Sequence, residues 1–169
     1  MAARSVRLID RWSLELRLVH WGLAIAVLGL LASGLALESP ELRGIPLLGS
    51  KLVREVHLSW AVMLVVLPAL AASWDGFQEL GRLWREASQL RSRAARLNIG
   101  QKLNVHFVVG LTAGLALTGV AIAPLGPSPV PQGLREIAYP VHVLLAYAMA
   151  ALVVGHVVMV ARSWAIQVK

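Results

Sequence analysis

The chain has 169 residues and no cysteine; it is 57% hydrophobic and carries a formal net charge of +7. Its mean hydropathy of +0.68 is too high for an ordinary soluble domain of this size, and the length argues for one domain over residues 1–169. The missing cysteines exclude a thioether-attached haem, a Cys-ligated iron–sulfur cluster and any disulfide within the chain.

Residues 1–17 form a basic lead with Arg4, Arg7, Arg11 and Arg17. Four uncharged stretches follow, predicting spans over 18–37, 56–74, 103–123 and 137–161. Each is near the ~20 residues that a helix needs to cross roughly 30 Å of hydrocarbon. Helices are expected because a span must satisfy its own backbone hydrogen bonds. The first stretch has full spanning length and three more follow it, so it is read as a retained span rather than a cleaved signal.

Between spans one and two, "ESPELRGIPLLGS" reads as turns. Between spans two and three the pattern changes. Phe77, Leu80, Leu83, Trp84, Ala87 and Leu90 recur at helical spacing opposite Arg and Glu, predicting an amphipathic helix over about 76–96. It either lies on the membrane surface or packs on a partner. "APLGPSPVPQG" closes span three as a second loop, and no internal repeat is evident.

Of the basic residues, Arg43, Lys51, Arg54 and Arg135 fall on one side of the predicted membrane and the others on the opposite side. The positive-inside rule places both termini in the cytoplasm, for a multi-pass protein of the bacterial inner membrane. Basicity here reports topology in a lipid bilayer, so nucleic acid is not the expected partner.

All five histidines, His20, His57, His106, His142 and His156, lie in or at the ends of spans. A titratable ring in hydrocarbon is costly and marks a functional candidate. His142 and His156 are fourteen residues apart. At about 100° and 1.5 Å per residue they share one helix face within roughly 40° and stand about 21 Å apart. Topology places His20 and His156 at the cytoplasmic depth, and His57 and His142 at the outer depth. Two histidines on facing helices suit a six-coordinate b-type haem, and two such pairs would carry two haems across the bilayer. Structural or proton-relaying histidines are the second reading and other metals the third. No Asp or Glu lies inside a span to serve a relay. A mononuclear metal would need more ligands clustered together.

Several segments resemble a known family. "RLVHWGLAIAVLGLLASGL" has a basic residue three before a His-Trp pair and a small-Gly pair further on; "LVREVH" opens the second span; "LNIGQKLN" precedes the third; the last span holds two spaced histidines. Over about residues 11–162 the chain resembles the di-haem cytochrome b subunits, called gamma subunits, of membrane-bound formate dehydrogenases. These are related to bacterial cytochrome b561 and to the cytochrome b of nickel–iron hydrogenases. The resemblance implies that His20 and His156 hold the cytoplasmic-side haem b and that His57 and His142 hold the outer one. It also implies a quinone site near Asn98, Gly100 and Gln101, where amide groups can bond a quinone carbonyl. Their structural alternative is a cap and an eased turn at the third helix. His106 has no ligand counterpart; it is a further quinone candidate, a structural histidine, or a replacement for His20. Ala61 departs from a glycine frequent in the family. Lys102, Arg11 and Arg17 could meet haem propionates or snorkel to lipid phosphate.

The expectation is an all-α membrane protein, a four-transmembrane-helix bundle holding two b haems. It would be an electron-transfer subunit rather than a substrate-oxidising one. Its partners would be the iron–sulfur and catalytic subunits of a membrane-bound oxidoreductase, with quinone as substrate. The alternative is a stand-alone cytochrome b561-type quinone oxidoreductase.

Overall fold

The computed structural model describes residues 14–43, 50–73, 76–89, 99–123 and 130–167. The protein is all-α, with no strand among the described residues. In chain order the helices are α1 (Leu14–Glu38), α2 (Pro40–Arg43), α3 (Ser50–Ser73), α4 (Gly76–Ser88), α5 (Ile99–Ile122) and α6 (Gln132–Gln167). Four of them, α1, α3, α5 and α6, are long and apolar enough to cross a membrane. Their outward faces are apolar, with Leu117 74% and Leu144 68% exposed. Such faces suit hydrocarbon rather than water. The apolar part of α6 runs Gln132–Arg162, 31 residues. At 1.5 Å per residue that is roughly 46 Å, so the helix must tilt or project beyond the ~30 Å core.

The amphipathic segment appears as α4, a 13-residue helix ending at Ser88; residues 90–96 of the expected helix lie outside the described residues. Ser39 joins α1 to α2. Its backbone N donates to the Leu35 carbonyl at 2.9 Å. Its hydroxyl accepts from the Leu42 backbone N at 3.4 Å, capping the short helix.

The chain divides into two compact units between Leu83 and Trp84. In the first, α1 packs against α3. The seam on α1 is a row of small residues, Gly22, Ala26, Gly29 and Ser33, at helical spacing. Ala26 and Ser33 are buried. A Cβ on Gly22 would meet Leu67 at 3.0 Å, one on Gly29 would meet the Trp60 ring at 2.5 Å, and one on Gly34 would meet His57 at 3.5 Å. The pairs run in opposite directions along the two helices, which are therefore antiparallel. Small residues let helix backbones approach where lipid offers no hydrophobic drive to association.

In the second unit α5 packs against α6 in the same way. A Cβ on Gly114 would meet Leu145 at 2.9 Å and one on Gly119 would meet His142 at 3.4 Å. The two helix pairs share a pattern. A glycine, a hydroxyl residue four positions on and a second glycine directly after it recur as Gly29–Ser33–Gly34 and Gly114–Thr118–Gly119. Each hydroxyl meets a histidine 24 residues later. The chain thus contains an internal repeat that its sequence does not advertise. Few side chains are identical between the halves, and uniformly apolar helices give no pattern to align.

Candidate functional site

His57 and His142 occupy equivalent places in the two units. The Ser33 hydroxyl lies 2.6 Å from the Gly29 carbonyl and 2.9 Å from Nδ1 of His57. The Thr118 hydroxyl lies 2.7 Å from the Gly114 carbonyl and 2.8 Å from Nδ1 of His142. Ser and Thr in membrane helices commonly return their proton to the preceding turn. A hydroxyl has one proton to give and a carbonyl can only accept. The hydroxyl therefore donates to its own helix and accepts from the ring. With the hydroxyl proton so committed, the proton of each imidazole is assigned to Nδ1; at His142 the Leu115 backbone also bonds the ring. Gly34 and Gly119 face Cε1 of the two rings, where an added Cβ would lie at 3.5 and 3.4 Å.

The other two ligand candidates stand differently. His20 is exposed on α1, and its ring meets Trp21 edge-on at 6.0 Å between centroids. His156 is half-buried on α6, with its Nδ1 fully buried. His20 and His57 belong to the first unit, and His106, His142 and His156 to the second.

Near the start of α5 a separate cluster forms. His106 Nδ1 lies 2.8 Å from the Lys102 carbonyl, which can only accept, so Nδ1 carries the proton here as well. The Trp84 ring lies over His106, centroids 5.2 Å apart and tilted by 37°. Lys102 is 1% exposed, and its ammonium donates to the Gln89 carbonyl at 2.6 Å. That is not the geometry of a lysine snorkelling to lipid; its stem is enclosed and its charge is used inside the fold. Gly100 and Gln101 are exposed in the first turn of α5, while Asn98 lies outside the described residues.

The signal for the hydroxyl partners was present in the small-Gly pair of the first span. The same pair recurs as Thr118–Gly119 in the third. Hydropathy reads both as featureless.

Over residues 11–169 the sequence matches the family described as prokaryotic cytochrome b561. The chain belongs to the prokaryotic cytochrome b561 family. No curated protein and no solved structure matches it. This cytochrome is a multi-pass membrane protein of electron transfer, and its family implies haem b. The donor chemistry fits that group. Imidazole is the usual axial ligand of b haems, and the Nδ1–H tautomer keeps the Nε2 lone pair for iron. Among the described residues no group of three or more His, Cys, Asp or Glu gathers to hold a bare metal ion. A chelating macrocycle needs from the protein only one or two axial donors. When bound, the haem supplies one-electron transfer.

Proposed function

We propose that the chain is a di-haem cytochrome b subunit that carries electrons between a partner oxidoreductase and the quinone pool. The observation that carries this reading is the repeated geometry at His57 and His142. Two antiparallel helix pairs each present one imidazole, each proton-fixed by a hydroxyl and each backed by a glycine. These two hold the outer haem and His20 with His156 the inner one. The bilayer is the bacterial inner membrane, with both termini cytoplasmic. The partner is formate dehydrogenase-like, offering an iron–sulfur subunit to the outer haem. If electrons enter at the outer face, their inward passage makes transfer electrogenic.

Quinone is placed at the cytoplasmic end of α5. Gln101 offers an amide to a quinone carbonyl, Gly100 allows close approach of the ring, and Asn98 is the third member of the set. The Nε2 lone pair of His106 takes a proton there. Support comes from the Nδ1–H bond that leaves this lone pair as the ring's acceptor and from the aromatic neighbour Trp84.

A second reading, equally compatible with the family description, is a stand-alone quinone oxidoreductase of the cytochrome b561 type. The deciding experiment is the dithionite-reduced minus oxidised spectrum, with pyridine haemochrome quantification, of the chain purified in mild detergent. Two b haems per chain support the proposal, one haem breaks a pair, and none rejects it. Co-purification of iron–sulfur and catalytic subunits separates the two readings.

A further inference from the structure

We propose that Ser33 and Thr118 are positioning residues for the outer haem. Each accepts a hydrogen bond from the Nδ1–H of its histidine, aims the Nε2 lone pair, and sets how much electron density the ring lends to iron. The inference rests on the reading that His57 and His142 ligate one haem.

A hydroxyl in a membrane helix has a simpler use. It can bond back to its own helix and glue a neighbour, at a gain of ~0.6 kcal/mol on average. Glue alone does not account for the match between the halves. Ser33 bonds Gly29 at 2.6 Å and Leu30 at 3.2 Å; Thr118 bonds Gly114 at 2.7 Å and Leu115 at 3.2 Å. Each then meets a histidine nitrogen, and the same one, Nδ1. The packing partners around them differ, since Gly29 faces Trp60 and Gly114 faces Leu145. What stays constant between the halves is the hydroxyl, the imidazole and the glycine facing Cε1.

The chemistry gives the constancy a purpose. A metal-binding histidine almost always donates its second N–H to an acceptor, which fixes the tautomer, orients the ring and raises the basicity of the ligating nitrogen. In hydrocarbon the alternatives are poor, because no water reaches an orphaned N–H. Serine and threonine serve because their own proton is already committed to the helix. A neutral hydroxyl polarises the N–H less than a carboxylate does, so the ligand stays a neutral imidazole. No charge is added to the membrane interior.

The test is optical redox titration and low-spin ferric EPR of the haem-loaded chain in four variants. Ser33→Ala and Thr118→Val remove the hydroxyls; Ser33→Thr and Thr118→Ser keep them. With the hydroxyl gone the imidazole loses one acceptor and donates less, the ferric state loses stabilisation, and the potential rises. The expected result is an upward shift of one and the same haem in both hydroxyl-free variants. That haem's EPR signal changes, the second haem is unmoved, and the hydroxyl-bearing variants keep wild-type values. Full haem content with unchanged potentials and spectra in Ser33→Ala and Thr118→Val overturns the inference, as does a shift of different haems by the two. Where a hydroxyl-free variant sheds haem, its hydroxyl-bearing counterpart decides. Retention at the wild-type potential supports positioning, and loss there too assigns the residue to packing alone. Wild-type protein without haem, or His57→Ala with full haem, fails the ligand reading instead, and does so before any hydroxyl variant is measured.

Discussion

Trp60 packs so closely on Gly29 that a Cβ there would lie 2.5 Å from Cε2 and 2.7 Å from Nε1 of the indole. The obstacle is a rigid bicycle rather than the end of a flexible chain, so α1 and α3 would have to separate to admit a methyl. Gly29→Ala is expected to destabilise the protein by about 1–3 kcal/mol, the usual cost of overpacking. At Gly114 the nearest atom is a terminal methyl of Leu145 at 2.9 Å, which can rotate away. Gly114→Ala should change stability by less than about 1 kcal/mol, helped by alanine's better helix propensity. Thermal melting in detergent compares the two; equal losses would contradict the distinction.

The proposed haem pairing predicts a pattern of epistasis. His57→Ala and His142→Ala should each remove the same b haem. The double variant should lose no more than either single one, because one missing axial ligand already empties the site. His20→Ala and His156→Ala should behave likewise toward the other haem. Haemochrome content with low-temperature α-band spectra reads this out, and losses that add within a pair would reject the pairing.

His106 is separable from the ligands by its own variant. His106→Phe keeps an aromatic face for Trp84 and removes the nitrogen proposed to take a proton from quinol. Both haems should remain reducible by dithionite. Reduction driven by quinol should fall by roughly 10²-fold, a typical general-base contribution. An unchanged quinol rate would remove His106 from the quinone site, while loss of a haem would make it a ligand in place of His20.

Lys102 offers a stability test. Its stem is enclosed and its ammonium holds the Gln89 carbonyl. Lys102→Met keeps most of the stem volume, and Lys102→Ala leaves a cavity. The alanine variant is expected to melt lower, by roughly 2 kcal/mol more than the methionine variant. Equal melting points would mean that the ammonium, and not the stem, is what this residue contributes.

The fold class was legible because hydropathy alone marks a span. Lipid imposes a length and a composition that no other environment demands, and α1, α3, α5 and α6 emerge directly from it. The histidines were legible for the complementary reason: a titratable ring stands out against Leu, Val and Ala. The hydroxyl partners were not, because Ser33 and Thr118 are common in apolar helices and gain meaning only from a neighbour 24 residues away. The repeat is hidden in the sequence for the same reason, since Trp60 and Leu145 fill equivalent seams with different shapes. Lys102 could not be read either. A lysine at the end of a span is compatible with water, lipid phosphate or a buried carbonyl, and only the position of the Gln89 carbonyl chooses between them.

His142 and His156 both ride on α6, one unbroken helix of 36 residues. Their separation of about 21 Å is therefore set by the rise of a single rod and not by the docking of separate parts. Tilting the rod carries both rings together and leaves the span between them unchanged. Electron tunnelling is steeply sensitive to distance, and such a rod serves as a ruler. In the proposed two-haem arrangement it would keep the hop length between His142 and His156 constant.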